Sequence, residues 1–148
     1  MNKIQGANIT LNTESKYSIT VSNWSSTTYE YGKYEKINYS DEALLDCTGV
    51  FITYRYCAEV GSIFESIVSL GVNGQDYGEC DRPTFKKSGD IWVGAYAYKD
   101  TEETDESGNT QIKREIMYSW EPVQCRVALG SYAEKQQPSI NTYEKLRQ

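Results

Sequence analysis

Histidine is absent from this chain of 148 residues, and its absence removes much of the usual catalytic chemistry. A hydrolase triad needs a base whose pKa lies near neutrality, which is the role that histidine normally takes. A glycosidase needs only two carboxylates, so a carboxylate pair is the remaining catalytic alternative. The acidic residues concentrate in 41–46 and 100–106, where solvated loops explain them more simply. We therefore expect a protein that is not an enzyme and that uses no cofactor.

Closely spaced cysteine pairs are also missing. The four cysteines form no C-x-x-C pair, and without histidine a zinc site would need all four thiolates at unusual spacings. The acidic stretch that begins at Asp105 fails the calcium-loop motif, because Thr110 and Ile116 stand where glycine and glutamate are required. We expect no metal site and four reduced thiols, with Cys57 and Cys125 buried in strands.

Long apolar runs and clusters of basic residues are scarce as well. No run of about 18 apolar residues exists, and the first residues have no apolar stretch of signal-peptide length. The net charge is −6, with 21 acidic against 15 basic residues, whereas a phosphate-binding surface needs clustered Lys and Arg. These features predict no membrane insertion, no nucleic-acid partner, and synthesis in a cytoplasm without a signal peptide.

What the sequence does contain is alternation with period 2, which is typical of half-buried β-strands. Tyr17, Ile19 and Val21 alternate with polar residues. Four apolar residues of a later run are predicted to share one face: Ile112, Ile116, Tyr118 and Trp120. The pattern as a whole predicts an all-β antiparallel sandwich or barrel, with strands near 17–22, 50–57, 63–72, 90–98, 111–120 and 123–129.

Turns and short helices are predicted between and after these strands. The polar stretch 101–110 is expected to form a long hairpin loop. Residues 40–46 suggest a short helical turn with Ser40 as N-cap, and a second short helix is expected after Pro138. We therefore divide the chain into a sandwich over residues 1–137 and a C-terminal helical tail over 138–148. The apolar residues of the tail are the predicted attachment residues: Ile140, Tyr143 and Leu146.

Tyrosine is unusually frequent, with 13 tyrosines against three phenylalanines. Tyrosine favours strands, and it also supplies rigid contact area with a polar tip. The segment 24–39 is aromatic and polar but poor in aliphatic residues, so it is the predicted ligand-contact surface. A carbohydrate is one ligand of this kind, and an edge strand that covers the core is the alternative interpretation. The candidate contact residues are Trp24, Tyr29, Tyr31, Tyr34 and Tyr39.

Several segments from Ile63 onward occur in an order that resembles a known family. In chain order they are Val72-Asn73-Gly74, a short polar strand at Cys80–Thr84, the turn Lys87–Gly89, Ile91–Tyr96, Val123–Leu129, Gly130–Tyr132 and Ser139–Glu144. This order is similar to that of immunoglobulin-like domains in minor structural proteins (baseplate, tail or head fibre) of tailed phages and prophages of Gram-positive bacteria.

The resemblance implies an immunoglobulin-like β-sandwich in a bacteriophage virion, attached to capsid or tail and displaying a binding surface. Expected partners are other virion proteins, host-surface carbohydrate, and sister copies through the C-terminal tail. In the family a longer fibre segment follows such domains, and this chain stops where that segment would begin. We therefore expect a decoration or adaptor protein, or a fibre reduced to its attachment domain. The alternative is a freestanding carbohydrate-binding module for bacterial surface glycans.

Overall fold

The computed structural model describes residues 4–14, 16–24, 33–57, 62–71, 74, 76–83, 85 and 88–127. Strands dominate this part of the chain, and it contains no α-helix. The all-β prediction is therefore confirmed. The predicted tail, its boundary at 137/138 and the attachment residues Ile140, Tyr143 and Leu146 lie outside the described residues.

Eight strands form a single hydrogen-bonded order, β5-β4-β7-β8-β2-β1-β3-β6. Their bounds are β1 Ile4–Asn12, β2 Ser18–Ser22, β3 Lys33–Asn38, β4 Gly49–Tyr56, β5 Ser62–Ile67, β6 Tyr77–Asp81, β7 Gly89–Thr104 and β8 Thr110–Val127. Most neighbours are antiparallel, whereas β1–β3 and β2–β8 are parallel.

The strands form two four-stranded halves, β5-β4-β7-β8 and β2-β1-β3-β6, which contact each other at both of their edges. At one margin β2 meets β8 through the single pair Ser18–Glu121. At the other, the Ser66 hydroxyl donates to the carbonyl of Asp81 at 2.7 Å, beside an isolated bridge between Ser69 and Glu79. The sheet is therefore nearly closed on itself, although each margin is joined by only a few contacts.

Alternate residues of both halves fill one shared core. On β1 the inward residues are Ala7, Ile9 and Leu11, and on β4 they include Ile52 and Tyr54. The buried Trp120 ties the halves together, because its indole N–H donates to the carbonyl of Asn12 at 2.9 Å. The period-2 pattern thus produces one buried face per strand, as alternation requires.

Strand β8 is continuous, although the sequence predicts two strands with a break near residue 121. The register shifts between Val93 and Ala95 of the partner β7, so that two residues of β8, Glu121 and Pro122, face Gly94. Pro122 fits such a bulge because proline has no N–H for the ladder. The sequence predicts an interruption at this proline, but it does not show that β8 pairs with β7 again beyond Pro122.

A second bulge corrects the prediction of one shared face for Ile112, Ile116, Tyr118 and Trp120. Tyr118 pairs with Ala97 and Ile116 pairs with Tyr98, so Met117 is the extra residue. Because one inserted residue reverses the alternation, Tyr118 and Trp120 pack against the core. The two isoleucines lie on the opposite face, and both are exposed.

Half of the predicted loop at 101–110 is strand. β7 continues to Thr104 and β8 begins at Thr110, so only 105–109 form the turn. One carboxylate oxygen of Asp105 accepts hydrogen bonds from the N–H groups of Ser107 and Asn109, each at 2.9 Å. Gly108 has a φ of +88°, a conformation that glycine adopts without steric cost.

The predicted helical turn at 40–46 is a run of hydrogen-bonded turns and not a helix. Its backbone bonds join residues three apart, as in Leu44 N–H to Asp41 C=O at 3.2 Å. Ser40 nevertheless accepts the N–H of Ala43 at 3.3 Å, the contact expected of an N-cap.

Strands β1 and β3 are not among the predicted strands. In β1 the inward residues Ala7, Ile9 and Leu11 alternate with polar residues, a period-2 signal that the prediction missed. The inward residues of β3 include a charge, Glu35, so β3 has no strong apolar alternation. Their strand state depends on pairing with each other and with β2 and β6.

Candidate functional site

The side of β5-β4-β7-β8 that faces away from the core carries the principal exposed apolar surface; we call it the outer face. Because Ile52 and Tyr54 point into the core, Phe51 and Arg55 point outward. Directly paired residues share a face of a sheet. The outer face therefore includes the partners of Phe51, which are Ile67 on β5 and Tyr96 on β7. It also includes the partners of Arg55, which are Ile63 on β5 and Trp92 on β7.

Four isoleucines on the outer face are more than half exposed. Ile63 and Ile67 on β5 are 60% and 54% exposed, and Ile112 and Ile116 on β8 are 58% and 52% exposed. Scattered apolar residues are normal on protein surfaces. Four of the same type on one sheet face, with half-buried aromatic rings between them, are typical of a surface that contacts another molecule.

An aromatic cluster links the two pairs of isoleucines. The Phe51 ring lies 5.3 Å from that of Tyr98 and 5.5 Å from that of Tyr96, measured between centroids. The guanidinium of Arg114 lies 4.0 Å from the Tyr98 centroid, and its two nitrogens contact the Asp100 carboxylate at 2.8 and 2.9 Å. This bidentate contact lowers the pKa of Asp100 from its ordinary value.

Beyond Tyr98 the β7–β8 hairpin continues past the last pairing of β4; we call Lys99–Ile116 the arm. Residues 101–116 are exposed on both faces, and β4 pairs with β7 only as far as Gly49–Tyr98. Six carboxylates and three cationic side chains give the arm a net charge of −3. A two-stranded ribbon with both faces in water is marginally stable by itself.

A buried ion pair joins the strands inside the core. The Glu35 and Arg82 side chains are fully buried, and they meet through Nε–Oε2 at 2.6 Å and Nη2–Oε1 at 3.1 Å. The Glu35 carboxylate also accepts the Ala7 N–H at 2.8 Å and the Tyr54 hydroxyl at 3.2 Å. Every oxygen is hydrogen-bonded, which is the condition under which a buried charge is tolerated.

The groups next to this ion pair remain protonated near neutral pH. Burial, together with the charge of Glu35, raises the pKa of the Cys80 thiol to about 12. Burial also raises the pKa of Tyr54 well above its ordinary value. Since a thiol reacts as its thiolate, Cys80 is a packing residue here. The sequence offered no signal for this cluster, because Glu35 and Arg82 are 47 residues apart.

Three of the five predicted contact residues are described, and two of them, Trp24 and Tyr39, make intramolecular side-chain contacts. Trp24 donates its indole N–H to the Arg126 carbonyl at 2.8 Å, and the Arg82 guanidinium lies 4.0 Å from the Trp24 ring centroid. Tyr39 accepts the Gly71 N–H at 3.0 Å, and Tyr34 lies half-buried on β3.

Tyr29 and Tyr31 lie outside the described residues. A ligand-contact surface across 24–39 therefore stays a prediction. In the structure, Trp24 covers one side of the buried ion pair.

All four cysteines are free thiols in the structure, but neither Cys57 nor Cys125 is fully buried as predicted. Cys57 is exposed because β4 ends at Tyr56 and the chain turns there. Cys125 is half-buried, and burial raises its pKa to about 11. Within the described ranges, no three histidine, cysteine, aspartate or glutamate side chains are grouped so that they could hold a metal ion.

A polar cleft of about 450 Å³ lies on the other half of the sheet, where β1, β2 and β3 meet Thr13, Glu14 and Lys16. Thr10, Asn12, Ser18, Asn38 and Tyr39 are among its lining residues. Tyr39 is thus the one predicted contact residue, of the three described, that lines this cleft.

In the part of the chain that the structure describes, no helix has the length and apolar character needed to cross a membrane. Comparisons with protein-family models, with curated proteins and with solved structures yield no match for this chain.

Proposed function

We propose that this chain is a non-enzymatic structural protein of a bacteriophage virion, an immunoglobulin-like domain that decorates the particle or acts as fibre or adaptor on capsid or tail. The observation that carries the proposal is the outer face, with its four exposed isoleucines and its projecting arm. The two four-stranded halves around one core support a sandwich of the kind that the resemblance implies.

The outer face is suited to assembly because its apolar side chains gain from being covered. Fully burying an isoleucine is worth roughly 1.5–3 kcal/mol, so burying the exposed half of four would contribute roughly 3–6 kcal/mol. Association itself costs roughly 4–15 kcal/mol, at least as much. Stable attachment therefore also uses the aromatic cluster around Phe51 and the backbone of the arm.

Charge indicates which partner covers this face. The arm carries a net charge of −3 and the chain −6, so two copies that met through the same face would bring like charges together. A capsid or tail protein that presents an apolar strip bordered by Lys and Arg would instead be attracted. We therefore assign the outer face to another virion protein and not to a second copy of this chain.

Particles purified from a host that carries the gene test the proposal by mass spectrometry. Wild-type protein is expected in the particle. The double variant Ile112→Asp/Ile116→Asp is expected to fold with an unchanged circular dichroism spectrum and to be incorporated at least about 10-fold less, since buried aspartates cost several kcal/mol. Leu45→Asp is the matched control, because Leu45 is 76% exposed and lies in the 41–46 turns, outside the four strands that form the outer face.

Two results would contradict this assignment. Absence of the wild-type protein from purified particles would refute the virion role. Full occupancy by the double variant would refute the outer face as the attachment surface and favour the C-terminal tail, which stays a predicted anchor. Deletion of residues 138–148 tests that tail: a truncated protein that folds but does not join the particle would support it.

A further inference from the structure

The polar cleft lies on the half of the sheet that does not form the outer face, so its role is separate from attachment. Thr10 and Asn12 on β1 alternate with the core residues Ile9 and Leu11, and their side chains therefore point away from the core. Asn38 on β3 and Ser18 on β2 pair with these two residues across the sheet and share their side.

Hydrogen bonds hold the two asparagines of the cleft in fixed orientations. The Asn12 amide donates to the Thr20 hydroxyl at 2.9 Å and to the Ser18 hydroxyl at 3.4 Å. The Asn38 amide donates to the Thr10 hydroxyl at 3.2 Å. In each asparagine these bonds use the nitrogen, so the amide oxygen is left to accept a hydrogen bond from a ligand, and the neighbouring hydroxyls can both donate and accept.

We propose that this cleft binds a neutral saccharide built of hexopyranose units. Adjacent sugar hydroxyls each donate and accept a hydrogen bond, and a row of fixed amide oxygens beside threonine and serine hydroxyls complements that pattern. The cleft volume of about 450 Å³ lies within the range of roughly 300–1,000 Å³ that is usual for small-molecule sites.

Charge at the rim favours a neutral ligand over an ionic one. Glu14 and Lys16 are the two charged lining residues, one of each sign, and the Lys16 ammonium lies 3.6 Å from the Glu121 carboxylate. A polyanionic ligand would require several cationic groups, which this cleft does not supply. Binding by one copy is weak because the cleft is open and polar; several copies on one particle would raise the avidity without new contacts.

Titration of the full-length protein with glucose, galactose, N-acetylglucosamine and cellobiose, followed by ¹⁵N–¹H NMR, tests the proposal. At least one of these sugars, added up to about 50 mM to cover millimolar affinity, is expected to cause saturable shifts of the amides at 10–18 and 38–40. The amides of Trp92 and Tyr96 on the outer face should not move. Asn12→Ala and Asn38→Ala should each weaken binding at least about 5-fold, as expected for one lost hydrogen bond.

Asn109→Ala is the matched control, because this asparagine is exposed in the arm turn, outside the cleft. It should bind like the wild type, and the NMR spectrum of each variant reports directly whether it is folded. Three outcomes would overturn the proposal: no saturable shift with any of the four sugars, shifts centred elsewhere, or equal affinity in the cleft variants and Asn109→Ala. None of these outcomes depends on whether the protein is found in a virion.

Discussion

Replacing Arg82 by methionine removes one charge of the buried ion pair and leaves the other without compensation. Glu35 would keep the Ala7 N–H and the Tyr54 hydroxyl, but it would lose the two guanidinium contacts at 2.6 and 3.1 Å. Both side chains are fully buried, so water cannot replace these contacts. Breaking such a pair from one side typically costs about 3–5 kcal/mol, and we expect Arg82→Met to lose that much unfolding free energy.

The double variant Glu35→Gln/Arg82→Met should be much more stable than Arg82→Met alone. The glutamine oxygen can still accept the Ala7 N–H, its amide can donate to the Tyr54 hydroxyl, and the methionine sulfur can pack under the Trp24 ring. Because neither charge is then buried, we expect the double variant to lie within roughly 1–2 kcal/mol of the wild type.

Urea unfolding followed by tryptophan fluorescence measures the free energies, and the transition slope checks that unfolding stays two-state. Near 15 °C stability is close to its maximum, which keeps a weakened variant measurable. Arg114→Met is the matched control: its guanidinium is also paired and stacked but lies at the surface, and a much smaller loss is expected. A loss below about 1 kcal/mol for Arg82→Met, or strict additivity in the double variant, would refute this reasoning.

Three further predictions follow from individual contacts. Gly6→Ala should cost about 1–3 kcal/mol in urea unfolding, because its Cβ would lie 2.8 Å from the fixed Glu35 carboxylate; unchanged stability would contradict this. Since Arg114 lowers the folded-state pKa of Asp100, their contact should persist above about pH 4 and weaken only as the pH falls through that lowered pKa. An NMR titration that shows the contact already lost at pH 5 would be inconsistent with it. Iodoacetamide at pH 8 should modify Cys57 first in the native protein and all four cysteines after unfolding without reductant, and a disulfide mass would disprove the free-thiol assignment.

Local apolar patterns, alternating in 17–22 and apolar on both faces in 50–57 and 90–98, were sufficient to predict three of the strands. The strands predicted near 17–22, 50–57 and 90–98 correspond to β2, β4 and β7, because each has a continuous apolar face that any register must bury. Strand β3 was missed because its inward positions include glutamate and its state depends on partners elsewhere in the chain. Strand β1 was missed although Ala7, Ile9 and Leu11 alternate with polar residues.

The candidate surface was less predictable than the strands, since it depends on bulges and not on composition. The sequence grouped Ile112 and Ile116 with Trp120, and the extra residue Met117 places the isoleucines on the outer face instead. Trp24 was predicted as a ligand contact, and its stacking on Arg82 could not be read from residues 58 positions apart.

The sequence by itself thus determined the strand-rich character of the chain, a hairpin connection within 101–110 and its acidic charge, because period, loop polarity and composition are local properties. Only the tertiary structure decided the strand order, the near closure of the sheet, the pairing of Glu35 with Arg82 and the face to which each β8 residue points. These features arise from contacts between distant residues, and a single inserted residue in one strand is enough to exchange its buried and exposed faces.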